Sequence, residues 1–584
     1  MVDTISSKAL ELGSPAKGLF LGEIRGSVLL PFPSISQGEQ ETLRFVIESI
    51  DKFMTERMDD YRRFDVAGEQ PSEYIEELKT LGLFSLIIPE EFSGLGLSNS
   101  GYARVLQQTS RYDASTSLTI GAHSSIGLKA LLLFGTPEQK AKYLPRLASG
   151  ELIAAFCLTE AGSGSDAASV KTHAVKNPDG SWILNGEKIW ITNGGTAGFF
   201  SVFAKTESDG GKMTGFIVER DWPGVSTGPK EDKMGIRASC TTTVRFDNVR
   251  VPAECVLGEE GKGFKVAMAV LNNGRTGLGG GCVGAMKRLI ELAVAQAVQR
   301  KQFGKSISEF QLMKDKIATM TALCFASESI VSVVGHLIDS GAEDFSVEAA
   351  MSKVYVSEAL WTVADEALQI AGGNGFMREF PYERVVRDSR INRIFEGTNE
   401  ILRLYVGLSG MKDPGEALKD VARSLKGIFN DPIKGFGILS EYASRKVGQL
   451  TSIGRPRFSG LAECLADDVV TFEQGVAKLA QAVEATLSRY RKGIIEQQLA
   501  TRRIADVATD LFVGMCVLAR VSTIAQQRGA AACGDELAIV RVLSHASRGR
   551  ISNNLRSLLK NADKEALTLA DSVVAKGGYS WDVL

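Results

Sequence analysis

Apolar positions recur at the 3.6-residue helical period from about residue 38 to 155, interrupted by loops such as Pro89-Glu90-Glu91-Phe92-Ser93-Gly94 and Gly135-Thr136-Pro137. Near Glu151 the texture changes. From there to about Asn248 come short alternating runs rich in Thr, Val and Phe, such as Trp182-Ile183-Leu184-Asn185-Gly186 and Thr241-Thr242-Thr243-Val244-Arg245-Phe246. Their period of two, punctuated by glycines, predicts an antiparallel β unit. The helical period returns after Gly263 and holds to about 408; a Gly/Pro-bearing stretch then leads into long amphipathic segments. The predicted architecture is mainly α with a central β domain, in four parts: 38–155 helical, 156–263 β, 264–410 a helical bundle, and 411–584 an added helical domain. A chain of 584 residues is too long for one core, which fits this division.

Composition removes several classes of function. A formal charge of -2 leaves no global field for nucleic acid, so no nucleic-acid partner is expected. The eight cysteines form no CxxC pair, and the four histidines, His123, His173, His336 and His545, never pair at metal-ligand spacing. Neither a metal centre nor a Ser/His/Asp triad is suggested, and a reducing compartment fits best. The N-terminus lacks a basic segment followed by an apolar one, so no secretion signal is expected. The longest uncharged apolar run of the tail, Leu511 to Ala519, is far short of the roughly 20 residues that span a bilayer.

Two glycine-rich pieces mimic cofactor loops. Phe303-Gly304-Lys305-Ser306 ends like a phosphate loop, but Gln299 stands where the required glycine belongs. Gly372-Gly373-Asn374-Gly375-Phe376 follows a helical pattern, not a strand, so the βαβ context of a dinucleotide fold is missing.

Three other segments are specific in combination. They are Phe156-Cys157-Leu158-Thr159-Glu160-Ala161-Gly162-Ser163-Gly164-Ser165-Asp166, then Trp190-Ile191-Thr192-Asn193-Gly194-Gly195, then Arg387-Asp388-Ser389-Arg390-Ile391 running through Ile394-Phe395-Glu396-Gly397-Thr398-Asn399-Glu400. In this order and spacing the chain resembles the acyl-CoA dehydrogenase family over about residues 40 to 410. The tail, with Lys492-Gly493-Ile494-Ile495-Glu496-Gln497-Gln498, is similar to the extra C-terminal domain of that family's very-long-chain branch.

The resemblance implies FAD and an acyl-CoA substrate. Desaturating a thioester between Cα and Cβ needs a base for the α-proton and an acceptor for the β-hydride. Glu396 matches the family's base. Flanked by Ile394 and Phe395, its carboxylate is expected in apolar surroundings that raise its pKa. The family polarises the thioester carbonyl with that residue's own backbone N–H and a flavin hydroxyl, and Gly397 leaves this backbone open to substrate. A branch of the family carries its base immediately before an arginine on an earlier helix; here Gly274 precedes Arg275, so Glu396 has no competitor.

For the flavin, the resemblance implies Thr192 against N5, Trp190 against the ring system, Phe156, Leu158 and Thr159 on the pyrimidine side, and Thr398 among the cofactor contacts. Arg300, Gln302, Phe303, Gln369 and Gly373 resemble positions that hold the dinucleotide of the neighbouring subunit, which implies a homodimer. Ser165 and Arg275 resemble contacts to CoA across its entrance. Ala161, where many relatives have proline, departs from the pattern and implies a looser loop.

Small residues along Ser115-Thr116-Ser117-Leu118-Thr119-Ile120-Gly121-Ala122 match the floor of the acyl pocket, so a deep pocket for long chains is expected; tight helix packing would select the same residues. Leu418, Val421, Ala422, Leu425, Ile428 and Phe429 form one face of a basic amphipathic helix, and segment 415–458 is a candidate for peripheral membrane contact or for packing on the protein itself. The expected electron acceptor is electron-transfer flavoprotein. An oxygen-using acyl-CoA oxidase and a scaffold for respiratory-complex assembly are the two alternatives. A cytoplasmic location is expected, or a mitochondrial one for a processed eukaryotic form.

Overall fold

The computed structural model describes residues 13–207, 211–416, 418–419 and 456–583. Its packing forms two compact units, one built on Pro31–Leu402 and one joining Ser14–Leu30 to Arg403–Leu584. Helix α1 (Pro15–Phe20) belongs to the second unit.

The first unit opens with α2 (Gln37–Thr55), α3 (Met58–Ala67), α4 (Ser72–Thr80), α5 (Asn99–Thr109), α6 (Ala114–Gly121), α7 (Lys129–Phe134) and α8 (Pro137–Ala148). Helix α8 shows why such elements start where they do. Thr136 and Gln139 form a reciprocal capping box and Pro137 occupies the first turn, where its missing N–H costs nothing. Between α6 and α7 the backbone opens into a π-helical turn, Ala122–Gly127.

Eight strands follow: β1 (Ala154–Cys157), β2 (His173–Lys176), β3 (Trp182–Thr192), β4 (Phe199–Thr206), β5 (Lys212–Glu219), β6 (Val225–Lys230), β7 (Thr241–Val251) and β8 (Val256–Leu257). Their order is β6-β7-β3-β2-β4-β5-β8, with β1 beside β4. The expected antiparallel pattern holds for β3 with β7 and β4 with β5, but β1 and β2 run parallel to β4. The long connection from β1 to β4 permits a crossover where a hairpin would have forced antiparallel pairing. Trp182, Phe199, Phe200, Phe203 and Phe216 fill the core of this layer.

Helices α9 (Gly263–Gln299), α10 (Gln311–Asp339), α11 (Ser346–Ala371), α12 (Gly373–Phe376) and α13 (Tyr382–Ser389) complete the bundle, and α14 (Asn399–Gly410) belongs to the second unit from Arg403 onward. After α9 comes a ribbon not foreseen from the sequence, β9 (Lys301–Gln302) with β10 (Lys305–Ser306). Its two-residue turn puts Phe303 and Gly304 at φ 53° and 81°, the left-handed pair that a tight hairpin requires. In α9, glycines let another helix approach: a Cβ at Gly280 or Gly284 would overlap the carbonyl oxygens of Ala103 and Gln107 on α5.

The second unit contains α15 (Ala466–Tyr490), α16 (Gln498–Arg528), α17 (Gly534–Ser557) and α18 (Asp563–Lys576). Arg550 grips buried Asp510 and Arg503 grips Asp563 through paired hydrogen bonds of 2.6–3.1 Å. Most of segment 415–458, including Val421, Ala422, Leu425, Ile428 and Phe429, lies outside the described residues. Among the described residues three stretches, Ala114–Phe134, α10 and α16, are long and apolar enough to cross a membrane by length and composition, yet most of each apolar window is buried inside the protein.

Candidate active site

Glu396 lies in the short connection between α13 and α14, with a left-handed backbone at φ 54°; Gly397 follows at φ 94°. A non-glycine residue is uncommon there, and strain of this kind survives only where neighbours enforce it. Two cations do so. Arg275 of α9 donates to the Glu396 carbonyl oxygen at 3.4 Å, and Lys353 of α11 donates to the Gly397 carbonyl oxygen at 2.7 Å and to Asn399 Oδ1 at 2.9 Å. Asn399 is anchored in turn by Ser357 Oγ at 3.0 Å and Glu358 Oε1 at 3.1 Å.

The Glu396 carboxylate points back toward α9. A Cβ on Gly274 would stand 3.7 Å from its Oε2 and 3.0 Å from Ile126 of the π-helical turn. That Oε2 is buried without a hydrogen-bond partner. Burial pushes the Glu396 pKa above the ordinary carboxylate range, while the charges of Arg275 and Lys353 act downward. Tyr102 closes the same region: its hydroxyl lies 2.7 Å from Ser125 Oγ, and burial drives its pKa upward, with Glu396 adding to the effect.

Across β3, the register against β7 shifts between Lys188 and Ile191. The irregularity turns Trp190 outward at φ 57° and leaves it 65% exposed, an open aromatic face on a strand whose neighbours are core. Thr192, half-buried, resumes the ladder opposite Thr241. Phe156 and Thr159 are also half-buried, Leu158 is buried, and the Thr159 carbonyl accepts from Ile189 N at 2.9 Å. Beneath this loop lies a buried ion pair absent from the sequence expectations. Lys188 donates to Glu160 at 2.7 Å and to the Leu158 carbonyl at 3.1 Å, and Glu160 accepts from the N–H groups of Lys171 and Thr172. The loop around Ala161 is thereby pinned at its base, although Ala161 itself is exposed.

Arg300, Gln302, Phe303, Gln369 and Gly373 are exposed, Phe303 at 93%. Ser165 is exposed, whereas Arg275, expected across an entrance from it, is only 6% exposed and serves the Glu396 turn. Thr398 Oγ1 accepts from Ile401 N at 3.4 Å and so caps α14.

Thr116 and Thr119 of the expected pocket floor spend their hydroxyls on packing contacts, with Tyr74 at 2.9 Å and with Gln70 at 2.8–3.0 Å. Beside the carboxylate stands the π-helical turn, through Ser125 and Ile126. Lys353 was legible: it falls on the buried stripe Ala350, Lys353, Ser357, Leu360, Ala364 of α11, where a lysine calls for a partner.

Family models describe this architecture part by part: acyl-CoA dehydrogenase N-terminal domain over 39–151, middle domain over 155–249, C-terminal domain over 261–410, and the ACAD9/ACADV C-terminal domain over 463–579. The chain belongs to the acyl-CoA dehydrogenase family. Among its relatives in this family, the human very long-chain specific acyl-CoA dehydrogenase is 44% identical over 547 residues, covering 89% of this chain and 82% of its own. A probable acyl-CoA dehydrogenase of Bacillus subtilis is 48% identical over 370 residues, 60% of this chain and 62% of its own. An acyl-CoA dehydrogenase of Bacillus anthracis, solved with FAD, superposes with a TM-score of 0.78 at 31% identity, covering 94% of this chain and 93% of that one. Butyryl-CoA dehydrogenase of Megasphaera elsdenii gives 0.62 at 37% identity, covering 65% of this chain and 99% of its own. The acyl-CoA dehydrogenase family fold thus spans both the core and, in the longer relatives, the added helical tail.

Proposed function

We propose that this chain is an FAD-dependent acyl-CoA dehydrogenase that converts long, straight acyl-CoA thioesters to trans-2-enoyl-CoA in fatty-acid β-oxidation, with Glu396 as the base. One observation carries the reading: a buried carboxylate, one oxygen without a hydrogen-bond partner, held on a strained turn between two cations. Such a group is poised to take a weakly acidic C–H proton, because apolar burial strengthens it as a base while the cations keep it ionised.

The flavin face fits this chemistry. An aromatic side chain held open at a strand irregularity, beside a half-buried threonine and the segment 156–159 at the end of β1, suits a flat ring system. When bound, FAD supplies the acceptor for the β-hydrogen as hydride. Glu396 takes the α-proton, and the Cα–H electron pair becomes the new Cα=Cβ bond as the β-hydrogen leaves with its own pair. The backbone N–H of Glu396, aimed by the φ 54° turn, is the donor for the thioester oxygen.

A homodimer is supported by the exposure of Arg300, Gln302, Phe303, Gln369 and Gly373, residues that resemble those holding the dinucleotide of a neighbouring subunit. The long-chain preference is supported by the very-long-chain relatives. Their names also place them in mitochondria. Electron-transfer flavoprotein is the proposed acceptor on the family's general pattern, and peripheral membrane contact through 415–458 is the proposed reading of that basic amphipathic segment.

Glu396→Gln tests the assignment. Reduction of bound flavin by palmitoyl-CoA is expected to fall by a factor on the order of 10²–10⁴ or more while FAD stays bound. Wild-type-like reduction in that variant would reject it.

A further inference from the structure

We infer that Lys353 is a positioning residue for the reaction: it holds the Glu396–Gly397 turn in its strained form through the Gly397 carbonyl and supplies a neighbouring positive charge that favours the ionised base. This rests on Glu396 being the base. Lys353 is fully buried on α11, an arrangement that costs heavily unless the ammonium is partnered. Its partners are the Gly397 carbonyl at 2.7 Å and Asn399 Oδ1 at 2.9 Å, immediately after the base. A purely structural role would be served by a lysine reaching any carbonyl; this one reaches the carbonyl of the residue at φ 94° that follows the φ 54° glutamate. With Arg275 on the Glu396 carbonyl, consecutive peptide oxygens of the turn are each gripped by a buried cation, and the Glu396 N–H and carboxylate are thereby both aimed.

The charged and titratable groups facing this pair are few. Around Glu396 stand Arg275 and Cys282 of α9, Lys353 of α11 and Tyr102 of α5; around Lys353 stand Glu396, Arg275, Cys282 and Glu400 of α14, with Glu358 beyond Asn399. Burial lowers the Lys353 pKa to about 8, and Glu396 is the largest influence opposing that fall, so each charge supports the other. Removing the ammonium raises the proton affinity of Glu396. The acid limb of the rate profile then moves to higher pH.

The experiment compares holoenzymes: wild type, Lys353→Met, Lys353→Gln, Lys353→Arg and Glu396→Gln. Flavin reduction by saturating palmitoyl-CoA is followed against pH, together with the protonated-carboxyl infrared band that Glu396→Gln removes. In Lys353→Met both the acid limb and the infrared titration are expected to rise by at least about one pH unit, the effect of losing one nearby opposite charge. The rate deficit should be largest at low pH and shrink as pH rises, with KM little changed. Lys353→Gln, which keeps a donor toward the Gly397 carbonyl, carries the same comparison if Lys353→Met does not retain FAD. Lys353→Arg should hold the acid limb near its wild-type pH. An unmoved acid limb in an FAD-bound neutral variant, or an equal displacement in Lys353→Arg, overturns the inference. A Glu396→Gln enzyme that reduces flavin normally overturns instead the reading beneath it, so the two failures are distinguishable.

Discussion

A glutamate at φ 54° is followed by a glycine at φ 94°, and Arg275 and Lys353 grip the two carbonyls from two different helices. The residue-scale consequence concerns Gly274. Its missing Cβ lies 3.7 Å from the Glu396 carboxylate, so a glutamate there would address nearly the same point in space. The double variant Gly274→Glu/Glu396→Gly is therefore expected to recover part of the flavin reduction lost in Glu396→Gly alone, on the order of a few per cent or more of wild type, since general-base catalysis tolerates a displaced base at reduced efficiency. Stopped-flow reduction by palmitoyl-CoA checks it; a double variant no faster than the single one would show that Ile126, 3.0 Å from the added Cβ, forces the new side chain elsewhere.

At the scale of elements, the π-helical turn Ala122–Gly127 reaches both the active site and the sheet. His123 in that turn is fully buried, its Nε2 donating to the Phe84 carbonyl at 3.1 Å and its Nδ1 accepting from Ala154 N of β1 at 3.0 Å. The Nδ1 contact requires the neutral ring, since a protonated Nδ1 cannot accept. Burial lowers its pKa from 6.5 to about 4, so the unfolded chain binds the proton more readily than the folded one. The stabilisation it gives is complete above pH 6.5 and is lost as pH falls toward about 4, amounting to roughly 3 kcal/mol. Thermal unfolding midpoints measured across that window should fall more steeply with acid in wild type than in His123→Asn; parallel slopes would refute the role. The π turn itself gave no sequence signal beyond a run of small polar residues in an apolar pattern, because the choice between α and π hydrogen bonding depends on what packs outside it.

At the scale of the molecule, Phe303 stands 93% exposed at the tip of its hairpin, with Leu312, Phe376 and Met377 also open to solvent. Large apolar side chains left bare are suited to a partner surface, and the proposed homodimer would cover that of the hairpin tip. Sedimentation of the holoenzyme is expected to give a dimer, and Phe303→Glu should shift it toward monomer and release FAD on gel filtration. A wild-type monomer that keeps its FAD would remove the shared-site reading. The second unit has its own long-range closure. Phe20 of α1, near the start of the chain, is buried 1% exposed and lies directly against Gly410, where a Cβ would overlap its ring.

The amino-acid sequence by itself determined the alternation of helical, β and helical segments, because amphipathic period is a property of consecutive residues. It also determined the motif around Glu396, since carboxylate, glycine and asparagine must be adjacent to build that turn. The tertiary structure alone decided that Lys353 and Arg275 meet this turn, that Gly274 faces the carboxylate, that Lys188 pairs with Glu160, and that Ser14–Leu30 joins the C-terminal unit. These are contacts between residues far apart in the chain, and no local pattern encodes a distance that only packing sets.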